Sequence, residues 1–459
     1  MIITRGNSYS KLHQAPAEFL ASVARHLAIK LELGSKKKPI VKGVRFGSIF
    51  WHEAMPYGSM LHGSVVPAGL TYHVEALARM YRVPCEVRDV RVVPPANHSW
   101  RSVVSSWRPY QDEVHDRLCR ATTGIVDAPP RSGKTLMAVR IVDELAQPVL
   151  YVAPSVAIVR QTYETFQRFY PNDMLARLDG EAQSYERDAS KQIVIATVAS
   201  VLKQDPDWFK TRKALIIDEF HHSAAESYHR LSALASEAYF RFMFTGTHFR
   251  TGTDTLAMEA VCAQVIQKIQ LADLVPDYLV QPRVYFIPTR AMRVRGRNWK
   301  EAYTAGVVKC DRRNGHIVTF ALSLARSGIP TIVLVKHRAH ADALGQMIPD
   351  SVVVKGGEDA LTSEAVREFL AGAFRVLVGT TVLGEGVDLP NAGALIYASA
   401  GSDGVTMMQS YFRPLTAHPG KQIGRIYDFR DTHHKLLARH SNERIVFARK
   451  HLGDCVVVP

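Results

Sequence analysis

The chain has 459 residues and a formal net charge of +14, from 57 Lys and Arg against 43 Asp and Glu. That length implies two or three domains, and 47% hydrophobic with 22% charged residues excludes a disordered chain. The five scattered cysteines, Cys85, Cys119, Cys262, Cys310 and Cys455, exclude a disulfide framework or a zinc site of usual spacing. No apolar run reaches membrane-spanning length. Thiol usage and the lack of a signal-peptide pattern predict a cytoplasmic protein, and the basic balance predicts a polyanionic partner.

Residues 1–105 read as a small α+β module, with helices over 17–31 and 72–81 and strands over 44–50 and 85–93. Between residues 1 and 107, 14 Lys and Arg stand against 6 Asp and Glu. The basic turn Gly34-Ser35-Lys36-Lys37-Lys38-Pro39 makes Lys36, Lys37 and Lys38 candidate phosphate contacts. Pro94-Pro95-Ala96-Asn97 reads as the linker.

Apolar strands then alternate with helical segments, the pattern of a parallel sheet. Strands are expected over 124–127, 149–153, 192–196, 215–217 and 242–244, and again over 284–287, 331–335, 351–354, 375–378, 394–397 and 424–428. The fold class is therefore α/β, two parallel-sheet domains in tandem over 106–277 and 278–459. A ligand cleft is expected at the carboxyl ends of such strands.

The first strand leads into Ala128-Pro129-Pro130-Arg131-Ser132-Gly133-Lys134-Thr135, and a helix-periodic run follows. Strand, tight loop and helix are the context of a phosphate-binding loop. Unpaired N–H groups and the helix dipole favour phosphate oxygens there. On this reading Pro130, Arg131, Ser132, Gly133, Lys134 and Thr135 cradle a nucleotide, Lys134 reaching the outer phosphates and Thr135 holding Mg²⁺. Ala128 stands where the general pattern has Gly. Farther on, Ala214-Leu215-Ile216-Ile217-Asp218-Glu219 is a strand ending in two carboxylates. Asp218 can hold Mg²⁺ while Glu219 polarises an attacking water.

Asp218-Glu219-Phe220-His221 resembles the DExH box of superfamily 2 helicases, and motifs from Trp107 to Lys450 resemble that superfamily in order. Arg108-Pro109-Tyr110-Gln111 resembles its adenine-reading motif, which implies nucleotide contacts by Arg108 and Gln111. Ala153-Pro154-Ser155 and Ala196-Thr197 resemble motifs that touch a nucleic-acid backbone, implying contacts by Pro154, Ser155 and Thr197. Thr245-Gly246-Thr247 resembles the motif that couples hydrolysis to the nucleic-acid site. Gly379-Thr380-Thr381-Val382-Leu383-Gly384-Glu385-Gly386-Val387-Asp388-Leu389-Pro390 implies that Thr380 meets nucleic acid while Gly386 and Asp388 face the nucleotide. Gln409-Ser410-Tyr411-Phe412-Arg413 aligns with the arginine-finger motif, with Gln409 and Arg413 as catalytic residues. Phe412 replaces the usual Gly and Thr416 the usual second arginine, so either hydrolysis is slow or another cation such as Lys421 or Arg425 compensates. Arg293, Arg295, Arg297 and Trp299 either line the nucleic-acid path, with Trp299 stacking on a base, or form a solvated hairpin. The nineteen histidines show no metal-ligand spacing.

Within the superfamily, the chain resembles the XPB-like group and phage UvsW-type branch-migration DNA helicases. The residues that carry this are Tyr303 through Asp311-Arg312-Arg313-Asn314-Gly315-His316-Ile317, the ending Ile426-Tyr427-Asp428-Phe429 with Leu436-Leu437 and Glu443-Arg444, and Val66-Pro67-Ala68-Gly69-Leu70. The resemblance implies two tandem RecA-like domains behind an accessory domain, with ATP and Mg²⁺ as cofactors. It also implies a monomeric motor that remodels branched, forked or duplex DNA without reading sequence, in host cytoplasm if phage-encoded. Single-strand-binding or recombination proteins are the further partners it implies. An RNA helicase, and a weak-ATPase annealing or clamp protein, are the alternatives.

Overall fold

The computed structural model describes residues 1–30, 50–51, 57–59, 61, 63–95, 107–220, 225–246, 252–289, 293–355, 359–380 and 389–458. Two compact units divide the chain, residues 1–129 with 133–270, and residues 271–459 with 130–132.

Seven strands form the main sheet of the first unit. Their order is Leu175–Leu178, Ile193–Thr197, Val149–Ala153, Ala214–Asp218, Phe240–Thr245, Thr123–Asp127 and Val265–Lys268, and every pairing is parallel. Val149–Ala153 and Ala214–Asp218 are buried throughout, as a sheet covered on both faces requires. The connecting segments include helices Pro109–Ala121, Lys134–Leu145, Val156–Phe166, Ala225–Leu234 and Gly252–Cys262.

The amino-terminal residues build a four-stranded mixed sheet, in the order Val65–Pro67, Tyr9–His13, Ile2–Arg5 and Glu86–Asp89. Helices Ala17–His26 and Thr71–Met80 pack on it through Phe19, Val23, Val74 and Ala78. This apolar layer is continuous with that of the main sheet, so one core serves both. Polar contacts reinforce the junction at the end of helix Ala225–Leu234, where carbonyls lack helical partners. Asn7 Nδ2 donates to Ser236 O at 3.0 Å and Ser8 Oγ to Ser232 O at 2.8 Å. The buried Arg241 guanidinium donates to the carbonyls of Ser232, Ala235 and Ala238 and to Ser8 Oγ. Burial lowers its pKa to about 10.

Gly69 sits tightest of all in this junction. A Cβ there would stand 2.0 Å from Glu259 O and 2.8 Å from Ala263 N, both backbone atoms of the Gly252–Cys262 helix or its end. His73 Nε2 meets Glu259 Oε2 at 2.9 Å beside it. Gly69→Ala is therefore expected to destabilise the first unit by about 1–3 kcal/mol through overpacking. A urea midpoint equal to wild type would refute that contact.

The second unit repeats the plan. Its parallel strands run Ser351–Val354, Val376–Thr380, Thr331–Val335, Ala394–Tyr397, Ile423–Asp431, Gln281–Thr289 and Val456–Val457. Two fully buried arginines brace it. Arg444, on helix Lys435–Leu452, donates from Nε to Asp428 Oδ2 at 2.8 Å and from a terminal nitrogen to Oδ1 at 3.0 Å. Tyr411 adds its hydroxyl to Asp428 Oδ2 at 2.6 Å. Arg313, on helix Asp311–Arg326, donates to Asp431 Oδ1 at 3.0 Å and to Ala398 O at 3.1 Å. Its neighbour Asn314 donates to Val308 O and faces His340 Nε2 at 2.9 Å. Burial, then Arg313, pushes the His340 pKa down to about 3, which keeps that ring neutral. No helix among the described residues is long and apolar enough to cross a membrane.

Candidate nucleotide site

Three adjacent strands, Ala214–Asp218, Phe240–Thr245 and Thr123–Asp127, end side by side. Each carries one of the sequence motifs at its carboxyl end. Ala128 N donates to Thr245 O at 2.8 Å, so the phosphate loop leaves the sheet pinned to the middle strand. Arg131 takes φ 72° and Gly133 φ 78°, two left-handed residues that fold the loop back before helix Lys134–Leu145 starts. The positive φ favours glycine at position 133, where a Cβ would also displace the Gln111 amide end, 2.6 Å away.

Lys134 Nζ stands 3.1 Å from Glu219 Oε1 and 3.3 Å from Ala128 O. Glu219 holds φ 52°, sparsely populated for a residue with a Cβ. Its backbone N donates to Phe244 O, and its carboxylate accepts from Gly246 N at 3.2 Å. Lysine, carboxylate and backbone N–H thus converge from three different motifs. The Tyr228 hydroxyl donates to Glu219 O at 3.3 Å from helix Ala225–Leu234.

Asp218 is buried next to this pair. Its Oδ2 accepts from the Tyr151 hydroxyl at 2.9 Å, while Oδ1 has no hydrogen-bond partner among the described residues. Burial first, and the neighbouring Glu219 second, raise its pKa to about 6, against opposing pulls from Lys134 and Tyr151. A buried carboxylate oxygen without a donor, with Thr135 in the first turn of the helix that follows the phosphate loop, suits a hard cation such as Mg²⁺. The sign of the pH dependence follows. The carboxyl keeps its proton up to about pH 6, so cation-dependent nucleotide binding should weaken below that pH by about tenfold per unit. Tyr151→Phe removes a hydroxyl that favours the ionised form, and should move this acid limb to higher pH. An acid limb unmoved by Tyr151→Phe, measured by nucleotide titration across pH, would contradict this assignment.

Gln111 is buried at the start of helix Pro109–Ala121, where its Oε1 accepts from Arg108 N at 3.1 Å. An Arg140–Asp112 ion pair and the Arg140 guanidinium over the Trp107 ring, 4.8 Å from its centroid, tie this helix to Lys134–Leu145. Pro130, Arg131 and Ser132 form the loop itself, with Ser132 buried. Pro154 precedes Ser155, which caps helix Val156–Phe166 by accepting from Ile158 N. Thr197 likewise caps Val198–Val201 by accepting from Ser200 N. Both sit at carboxyl ends of strands of the first sheet.

In the second unit, Thr380 ends strand Val376–Thr380 with its hydroxyl buried. Gln409 lies on helix Gly404–Tyr411, and Arg413 is buried in the turn Arg413–Leu415. Thr416 bridges to Leu279. Arg295 and Arg297 are exposed, and Trp299 stacks on His440 with ring centroids 4.0 Å apart. Lys36, Lys37, Lys38, His221, His222, Thr247, Gly386 and Asp388 lie outside the described residues. Among the described residues no cluster of three or more His, Cys, Asp or Glu suits a metal. Sequence reasoning missed Tyr151 and Tyr228, whose only signal is a tyrosine within an apolar strand and one just after the box.

Residues 105–250 match the family model of the type III restriction enzyme res subunit. The ATP-dependent DNA helicase uvsW of Enterobacteria phage T4 is 21% identical over 329 residues, covering 67% of this chain and 65% of that protein. The DNA 3'-5' translocase XPB2 of Sulfurisphaera tokodaii is also 21% identical, over 62% of this chain and 73% of its own. Among solved structures, a fragment of a putative HsdR subunit of a type I restriction enzyme from Vibrio vulnificus shares the fold. Its TM-score is 0.57 at 18% identity, covering 79% of this chain and 69% of that one. The two sheets are accordingly tandem RecA-like domains behind a small mixed-sheet amino-terminal region. Residues 105–250 thus carry the domain of that family model, and the chain is similar to UvsW and XPB-like helicases.

Proposed function

We propose that the chain is an ATP-dependent DNA translocase that remodels branched or forked DNA. One observation carries most of this reading: Lys134, Glu219 and the Gly246 N–H converge at the ends of three neighbouring strands. An ammonium, a carboxylate and a fixed N–H are the groups that phosphoryl transfer to water needs. Lys134 pairs with the Glu219 carboxylate. A phosphate group entering the loop competes for that ammonium and releases the Glu219 carboxylate to orient and deprotonate a water. Gly246 N–H then reports on Glu219 from the strand end that leads into the coupling motif. Mg²⁺, when bound through Asp218 and Thr135, supplies charge neutralisation at the phosphates. Arg413 is the finger candidate that stabilises charge on the transferred group. The DNA preference rests on the basic chain and on relatives named as DNA helicase and translocase.

The test is ATP turnover with and without forked, four-way and flush duplex DNA, alongside ATP-driven product release. Stimulation by branched DNA with strand release is expected. Turnover indifferent to DNA would sink the motor reading, and stimulation by RNA alone would redirect it. Arg413→Ala should cut stimulated turnover by about 10²–10³-fold while sparing DNA binding. Near wild-type turnover would remove Arg413 from the finger role.

A further inference from the structure

The amino-end rim of the second sheet holds a basin whose lining includes neither the phosphate loop, nor Asp218 and Glu219, nor Arg413. It encloses about 640 Å³ among the loops that precede strands Thr331–Val335, Val376–Thr380, Ala394–Tyr397 and Ile423–Asp431. That volume falls in the range of small-ligand sites. Arg375, Lys421 and Arg425 line it, and no carboxylate side chain does. Lys421 is anchored, its Nζ donating to Pro390 O at 2.7 Å and Ala392 O at 3.0 Å.

Two features of the wall are unfavourable as they stand. Arg425 lies directly opposite Arg283 in the register of neighbouring strands, so two guanidinium groups share one face of the sheet. Like charges so placed repel, and among the described residues Arg283, Arg375 and Arg425 make no ion pair. Asn391 donates from Nδ2 to Phe369 O at 3.0 Å, but its Oδ1 is buried with no donor among the described residues. A buried acceptor left in that state costs free energy. An anion held in the basin relieves the first.

We propose that this basin binds a phosphorylated nucleotide. Its phosphates sit among Arg375, Lys421 and Arg425, and its sugar and base occupy the rest of the basin. The site does not depend on the ATPase reading, because it shares no residue with the Lys134 loop. A purely structural role is the competing account, in which the cations offset the carbonyl ends of helices Asp311–Arg326 and Asp359–Ala371.

The full chain carrying Lys134→Ala, which disables the phosphate loop, separates the two sites. Calorimetric titration would use ADP, inorganic tripolyphosphate and a short DNA oligonucleotide. ADP should bind at one site per chain, more tightly than tripolyphosphate. Adding Arg375→Glu and Arg425→Glu should weaken ADP binding about tenfold or more. Arg375→Gln alone, at an exposed position that leaves folding intact, should weaken it roughly threefold. Absence of ADP binding in the Lys134→Ala chain would overturn the proposal. So would an ADP affinity indifferent to the charge reversals, or a loss confined to the oligonucleotide.

Discussion

Glu219→Gln should lower ATP turnover by about 10²–10⁴-fold, the span a positioned general base contributes, while nucleotide binding persists. The amide keeps the shape that accepts from Gly246 N, so the strand ends should stay in place. What it loses is the negative charge held 3.1 Å from Lys134 and the ability to take a proton from water. Because Lys134 is then no longer neutralised, nucleotide should bind at least as tightly as in wild type. A variant that binds normally but does not turn over would assign Glu219 to the chemical step. Turnover near wild type would remove it, and a parallel loss of binding would point instead to a role in shaping the loop.

The second large effect concerns the frame of the second unit. Arg444→Met should destabilise that unit by about 3–5 kcal/mol, since it strands a buried Asp428 carboxylate. Only the Tyr411 hydroxyl and a backbone N–H from Phe429 would remain on that carboxylate. Asp428→Asn combined with Arg444→Met should recover part of the loss, because the uncompensated charge is gone. Denaturation midpoints of the single and double variants make the comparison. If Arg444→Met unfolds at the wild-type midpoint, the pair does not brace the helix Lys435–Leu452 against the strand Ile423–Asp431.

The two-sheet plan was legible because parallel strands buried on both faces read as plain apolar runs. Val149–Ala153 and Thr331–Val335 were expected to the residue. The strands that escaped notice lack that signal. Leu175–Leu178 contains Arg177, which is buried by pairing with Asp179 and Glu186, so a charge interrupts the apolar run of this edge strand. Val265–Lys268 lies at an edge and half its residues are polar, and Val456–Val457 is too short to stand out. The candidate site was readable because Lys134, Asp218 and Glu219 lie where strands end. Their partners were not, because Tyr151 reaches Asp218 across neighbouring strands and Gly246 reaches Glu219 from a third. Arg313 and Arg444 carried a resemblance in the sequence, and the structure shows both fully buried in ion pairs. Lys421 and Arg425, considered as substitutes for a missing second arginine, instead face the amino-end basin.

The shared core of the first unit has a practical consequence for dissecting this protein. The amino-terminal strands are a wall of that unit, since Gly69 touches the backbone of helix Gly252–Cys262 and Ser8 shares Arg241 with helix Ala225–Leu234. A chain cut to begin near Trp107 would uncover Leu256, Val261 and the apolar residues around them, inviting self-association. Loss of activity in such a fragment would then report a solubility failure and say nothing of what the amino-terminal sheet recognises. Point changes on its solvent face, away from Ser8, Gly69 and His73, are the informative scalpel.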